Sequence, residues 1–114
     1  MLLTREDGIR VLWWNEDVTL KNVDDFRLAV RKLLDSEENS LVLELREVMY
    51  VNSGALGIIA DAVRQGDRHR KQLVIAGIEP TVGEILSIVK FGAFIRLFRQ
   101  REEAVAYIRS GPAT

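Results

Sequence analysis

The sequence predicts an α/β fold in which a mixed β-sheet of about five strands carries about four helices, most of them packed on one face. Short apolar or alternating runs bounded by polar turns are typical of strands, and several occur along the chain. Longer segments repeat apolar residues at three- and four-residue spacing, as amphipathic helices do. The two kinds of segment alternate, which favours parallel strands joined by right-handed crossovers.

Length and composition favour one domain spanning residues 1–114, since 114 residues is the size of one ordinary domain. The chain has no Cys and one His, so it offers neither a disulfide framework nor a Cys or His metal site, and we expect no cofactor. The net charge of −1 does not favour nucleic acid as a partner. No apolar run reaches the roughly 20 residues of a membrane span, and the start lacks the order of a signal peptide. We therefore expect a cytoplasmic protein.

The first two strands are predicted at residues 2–5 and 9–14. Asp7-Gly8 between them is typical of a tight hairpin turn, so the strands should pair antiparallel. Trp13 and Trp14 point to opposite faces of the second strand, which leaves one of them near the surface. Either both rings cover a helix edge, or the exposed ring marks a protein contact.

The first helix follows a polar connection at residues 15–21. Asn22 is placed to cap it, and Asp24 and Asp25 lie in its first turn, where negative charge is favoured. Its apolar positions have helical spacing. They are Val23, Phe26, Val30, Leu33 and Leu34.

A central strand at residues 41–46 leads into a second helix, and this junction organises the chain. Asn52 and Ser53 precede the helix and are both preferred N-cap types. A helix N-terminus has unpaired N–H groups and a partial positive charge, so it would stabilise an anion. The helix repeats apolar or small residues along one side. They are Ala55, Leu56, Ile59, Ala62, Val63 and Gly66.

The next strand is predicted at residues 73–76, before a third helix that starts after Pro80 and Thr81. Thr81 and Glu84 fit a capping box, and Gly92 is placed to end the helix. Its buried positions are expected to be Val82, Ile85, Leu86 and Val89.

The end of the chain predicts an edge strand at residues 94–98 and a final helix at residues 101–108. The strand alternates in polarity, and the helix would bury Ala104, Val105 and Ile108. Gly111 and Pro112 would stop it.

The run Val48-Met49-Tyr50-Val51-Asn52-Ser53-Gly54-Ala55-Leu56-Gly57 resembles the signature of STAS domains, the family of bacterial anti-sigma-factor antagonists. The family's usual form is a strand followed by Asp-Ser-Ser-Gly-Leu-Gly at the start of a helix. Residues 72–82 are similar to the family's fourth strand and its Pro-started helix, residues 91–94 to its helix exit, and residues 102–105 to the start of its last helix. The resemblance covers nearly the whole chain and implies the STAS-like version of the fold above.

The sequence departs from this signature at one position of known importance in the family. Without a gap, Asn52 takes the place of the Asp, Ser53 of the first Ser, Gly54 of the second Ser, and Ala55 of the Gly. In the family's antagonists the second Ser accepts a phosphate, and Gly54 has no hydroxyl. Ser53 carries the one hydroxyl of this turn and is therefore the candidate phosphoacceptor.

The resemblance also implies a partner and a surface. The expected partner is an anti-sigma factor that is itself a Ser/Thr protein kinase, with a phosphatase to reverse the modification; the sequence also allows a homodimer. The alternative is an unphosphorylated scaffold or accessory subunit, stressosome-like or transporter-associated, that uses the same surface constitutively. The expected partner-binding residues lie on the signature turn and on the connection beside it. They are Asn52, Ser53, Gly54, Ala55, Leu56, Asp17 and Thr19.

Motifs for catalysis are not found in the sequence. Ser53 lies in a strand-to-helix turn, but the G-x-S-x-G spacing of a nucleophile elbow is missing, and His69 lies in the charged run at residues 68–71. Neither a phosphate-binding loop nor a dinucleotide motif occurs. We therefore expect a binding module that is not an enzyme and has no catalytic or metal-binding residue.

Overall fold

The computed structural model describes residues 1–88 and 95–110 of the chain. Four strands and four helices follow one another in these residues. In chain order they are β1 (Leu2–Glu6), β2 (Ile9–Trp13), α1 (Val23–Leu34), β3 (Ser40–Glu44), α2 (Ser53–Arg68), β4 (Gln72–Ala76), α3 (Pro80–Ile88) and α4 (Arg101–Arg109). The predicted α/β class and mixed sheet are confirmed.

The sheet has the order β1-β2-β3-β4. β1 pairs antiparallel with β2, whereas β2, β3 and β4 are parallel. Asp7 and Gly8 both have positive φ angles, 51° and 79°, as the predicted hairpin requires. Because parallel strands run in the same direction, the segments that follow β2, β3 and β4 all leave from the same end of the sheet.

One face of the sheet is covered by α1, α2 and α3, and this side contains most of the core. Phe26 of α1 lies edge-to-face against Trp14, with ring centroids 5.2 Å apart. The buried residues of α2 are Ala55, Ile59, Ala60, Ala62, Val63 and Gly66, which include five of the six predicted positions. Leu56, the sixth, is half-buried at the edge of this core.

The opposite face is covered by α4. Ala104 and Val105 pack there against strand residues Ile9, Val11, Val42, Val74 and Ala76 in a second, smaller apolar cluster. Glu44 shares this side. Its side chain is 1 % exposed, and Oε2 accepts hydrogen bonds from Arg101 Nε at 2.6 Å and Nη2 at 2.5 Å. An ion pair between the end of β3 and the first residue of α4 therefore fastens this helix.

The two tryptophans divide as the alternation predicts. Trp14 is buried beneath α1, and Trp13 on the other side is half-buried. The guanidinium of Arg46 lies 5.3 Å from the Trp13 ring centroid, and Trp13 Nε1 donates to the Arg46 carbonyl oxygen at 3.5 Å. Trp13 thus contacts both the side chain and the backbone of Arg46, the second residue after β3.

Several local predictions are wrong in detail. Residues 95–98, the described part of the expected fifth strand, form only an isolated parallel bridge between Leu97 and Ile75. Asn22 lies at the N-cap of α1, but its side chain makes no capping hydrogen bond. Thr81 is the second residue of α3, so it does not begin a capping box. Val89, Gly92, Phe94, Gly111 and Pro112 lie outside the described residues.

Candidate functional site

The signature turn is displayed at the start of α2. Asn52 is the N-cap, and its Oδ1 accepts a hydrogen bond from the Ala55 backbone N–H at 2.8 Å. Ser53 is the first residue of the helix, and both Ser53 and Gly54 are exposed. A side-chain cap of this kind satisfies one of the unpaired N–H groups of a helix start, so the turn is ordered while Ser53 stays exposed.

Ala55 differs from its neighbours because its side chain is fully buried. It packs in the core beneath the turn and has no surface with which to contact a partner. This corrects its place among the expected contact residues. The half-buried Leu56 and Asn52 retain some exposed surface.

The connection after β2 and the connection after β3 are paired beside this turn. The Val18 N–H donates to the Tyr50 carbonyl at 3.0 Å, and the Asn52 N–H donates to the Val18 carbonyl at 3.0 Å. Val18 and Val51 form a parallel bridge, and both are buried. The neighbourhood that the family resemblance implied for residues 15–22 and the Ser53 turn is therefore present.

Asp17 holds this pair of loops together. Its Oδ1 accepts hydrogen bonds from the backbone N–H groups of Met49 at 2.7 Å and of Tyr50 at 3.2 Å. Thr19 acts locally, because its Oγ1 accepts from the Lys21 N–H at 3.2 Å. Both residues are exposed, but the contacts of Asp17 show that one of its functions is to order the segment that precedes Ser53.

The segment around Met49 is also bound by α3. Thr81 Oγ1 donates to the Met49 carbonyl oxygen at 2.9 Å. Two residues before Met49, Glu47 has a φ of 80° in a turn closed by a hydrogen bond from the Val48 N–H to the Leu45 carbonyl at 2.9 Å. A non-glycine residue rarely adopts such an angle, and strain of this kind concentrates at functional sites.

Three large apolar side chains emerge from these loops into solvent. Leu20 is 90 % exposed, Met49 49 % and Tyr50 48 %. Sequence reasoning missed them, although an apolar residue such as Leu20 inside the otherwise polar run at residues 15–22 is a signal that could have been used. We call Leu20, Met49, Tyr50 and Ser53 the loop surface.

A groove of about 940 Å³ between α1 and α2 adjoins the turn. Gly54 and Gly57 line it, together with Arg27 and Arg31 of α1. A Cβ atom at Gly57 would meet nothing within 4 Å, so no close contact of α2 with the described parts of the fold requires a glycine at this position. Because residue 57 has no side chain, the groove is wider at this point of α2 than it would be with a larger residue.

Within residues 1–88 and 95–110, no group of three or more His, Asp or Glu side chains is arranged to hold a metal ion. None of the helices in these residues is both long and apolar enough to cross a bilayer.

Comparison with known proteins finds a relative by sequence and several neighbours by structure. The chain is 22 % identical over 110 residues to a protein of Bordetella bronchiseptica named as an anti-sigma factor antagonist, BtrV, with 96 % of this chain and 95 % of that protein covered. An anti-sigma factor antagonist from Mycobacterium paratuberculosis superposes with a TM-score of 0.87 at 16 % identity, covering 95 % and 92 % of the two chains. The Bacillus cell fate determinant SpoIIAA, solved in its phosphorylated form, gives a TM-score of 0.70 at 13 % identity, covering 95 % and 98 %.

The sheet order, the helix arrangement and the capped turn at the start of α2 thus define a domain with the fold of anti-sigma factor antagonists. The family model described as STAS domain matches residues 1–104. The chain belongs to the STAS domain family.

Proposed function

We propose that this chain is an anti-sigma-factor antagonist that binds an anti-sigma factor through the loop surface and the start of α2. The observation that carries the proposal is the exposed Ser53 turn, which is capped by Asn52 and flanked by loops that hydrogen bonds already order. One relative and two structural neighbours of matching length are named as anti-sigma factor antagonists. An ordered surface costs little conformational entropy on binding, which favours specific recognition.

The partner in this proposal is an anti-sigma factor that is also a Ser/Thr protein kinase, and the setting is the cytoplasm. Binding withdraws the anti-sigma factor from its sigma factor, which would make the chain a regulator of transcription by partner switching. The chain itself acts by binding and not as an enzyme. Its one His, His69, is exposed near the end of α2, away from Ser53 at the other end of that helix.

Phosphorylation of Ser53 would act as the switch. A phosphate adds about −1.5 to −2 charges, and the N-terminus of α2 would tolerate them. A partner that covers Leu20, Met49 and Tyr50 would have to bury this dianion among apolar groups, which is costly. Kinase action would therefore release the partner, and a phosphatase would restore binding.

The binding proposal is tested by calorimetry with an anti-sigma factor kinase from the same organism, purified after it has been identified by co-purification with this chain. We expect wild type to bind and Ser53→Glu to weaken binding by at least about tenfold, equivalent to about 1.4 kcal/mol. Ser110→Glu, at an exposed serine just after α4, is the matched control and should bind like wild type. If wild type does not bind, or if both variants behave alike, the proposal fails.

A second candidate function is supported by Gly54, which has no hydroxyl where the family's acceptor Ser stands. In this alternative the chain is a scaffold or accessory subunit that uses the same surface permanently. Incubation with the kinase and ATP, followed by mass spectrometry and a binding assay, separates the two. Phosphate on Ser53 with loss of binding supports the switch, whereas an unmodified Ser53 with retained binding supports the permanent complex.

A further inference from the structure

The distribution of charge around the loop surface is uneven. The three segments that meet there are residues 15–21, residues 46–53, and residues 78–84 at the start of α3, which Thr81 joins to Met49. Together they carry five carboxylates and two cationic side chains, a net charge of −3, while the whole chain has −1. The carboxylates are Glu16, Asp17, Glu47, Glu79 and Glu84.

These carboxylates are largely accessible, and two of them are placed on the segments that fix Met49. Glu47 is exposed two residues before Met49, and Glu84 is exposed one helical turn after Thr81. Of the two cations, Arg46 has its guanidinium over the Trp13 ring. The apolar side chains of the loop surface therefore lie in acidic surroundings.

The backbone that carries Met49 and Tyr50 is also held in place before any partner arrives. Asp17 accepts from the N–H groups of Met49 and Tyr50, and Thr81 donates to the Met49 carbonyl, so both sides of this segment are tied to other parts of the fold. Tyr and Met are enriched at the centres of protein interfaces, and the surrounding rim is polar. Complementary charge on the two rims raises the association rate and excludes wrong partners.

Resting on the proposed function, we infer that the loop surface takes one kind of partner: a protein face with an apolar centre and a rim of Lys and Arg side chains. The apolar centre covers Met49, Tyr50 and Leu20, and the basic rim faces the carboxylates of the three segments. This inference assigns contact roles to Leu20, Met49 and Tyr50, and a steering role to Glu47 and Glu84.

Charge reversal at the rim tests this inference against the anti-sigma factor. We expect the double variant Glu47→Lys/Glu84→Lys to weaken binding by about tenfold or more at low salt, chiefly through a slower association rate, and to lose most of the salt dependence of wild type. The control is Glu37→Lys, at an exposed position before β3 at the other end of the sheet, and it should change neither quantity. Unchanged or tighter binding of the double variant would overturn the inference while leaving the proposed function intact.

A second arm does not depend on the anti-sigma factor. Amide chemical shifts of the ¹⁵N-labelled chain are followed while two synthetic amphipathic peptides are added, one of Leu, Trp and Arg and the other with Glu in place of Arg. We expect the Arg peptide to shift the signals of Leu20, Met49 and Tyr50, and the Glu peptide to leave them in place. Equal responses, or shifts confined to other parts of the chain, contradict the inference. A positive result without anti-sigma factor binding would keep the surface chemistry and reject only the proposed partner.

Discussion

The two faces of the sheet are stabilised in different ways. The face under α1, α2 and α3 is a continuous apolar core that includes Phe26 and Trp14. The face under α4 has a smaller apolar cluster and depends in addition on the buried pair Glu44–Arg101. Apolar packing is tolerant of small shifts, whereas a buried charge requires its partner. The first face should therefore supply most of the stability, and the second should be sensitive to a single contact.

Matched aromatic truncations give the largest expected contrast between the faces. Phe26 is fully buried, while Phe98 is half-buried beside Tyr107, with ring centroids 5.3 Å apart. Phe26→Ala should lower the free energy of unfolding by about 3–5 kcal/mol, and Phe98→Ala by about 1–2 kcal/mol. Urea unfolding measures both. If Phe26→Ala does not fold, Phe26→Leu should still cost about 1 kcal/mol. Equal costs for the two alanine variants would contradict the comparison.

The buried ion pair gives the next largest effect. Glu44→Ala leaves Arg101 without its main partner and should cost about 3 kcal/mol in the free energy of unfolding. Adding Arg101→Met to this variant should recover a large part of that loss, because no buried charge is then left without a partner. Glu6→Ala is the control, since Glu6 is exposed and lies 3.9 Å from Arg101, and it should stay within about 0.5 kcal/mol of wild type. Additive losses in the double variant would show that the pair itself does not fasten α4.

The sequence allowed the first face to be predicted better than the second. Helical spacing identified the buried side of α2 residue by residue, because periodicity reports burial directly. It could not show that Glu44 is buried, since the residue that neutralises it, Arg101, is 57 positions away. The fifth strand was overestimated for a related reason: alternation at residues 95–98 does not reveal how many ladder hydrogen bonds form, and only the bridge at Leu97 is present.

The candidate site was predicted in position but not in mechanism. The signature turn, its cap at Asn52 and the exposure of Ser53 follow from local sequence. The hydrogen bonds of Asp17 and Thr81 to Met49 join residues 32 positions apart, and no local pattern predicts such pairs. Asp17 was therefore expected only to contact a partner, whereas the structure also shows that it binds the backbone of Met49 and Tyr50.

The ordering function of Asp17 can be separated from the stability of the first face. Asp17→Ala should cost only about 1 kcal/mol in the free energy of unfolding, because the hydrogen bonds are exposed to water. Hydrogen exchange should nevertheless become faster at the amides of Met49 and Tyr50, which donate to Asp17. Asp67→Ala, at an exposed position near the end of α2, serves as the control and should leave these two amides unchanged. Unaltered exchange in Asp17→Ala would mean that other contacts order the segment.

The smallest expected effect is a gain in the free energy of unfolding, at the exposed side of α2, where a new side chain would not disturb the core of the first face. Gly57 is exposed inside the helix, and an added Cβ would meet nothing within 4 Å, so Gly57→Ala should raise the free energy of unfolding by about 0.5–1 kcal/mol. Gly77→Ala is the counterpart: Gly77 has a φ of 70°, and its Cβ would lie 2.8 Å from the Arg46 backbone nitrogen, so the protein should be destabilised. Thermal unfolding of the two variants measures the difference. A loss of stability in Gly57→Ala would indicate that the fold itself requires the open surface beside Ser53. A gain would show that the fold does not require it, so that a side chain at residue 57 could impair only the recognition of a partner.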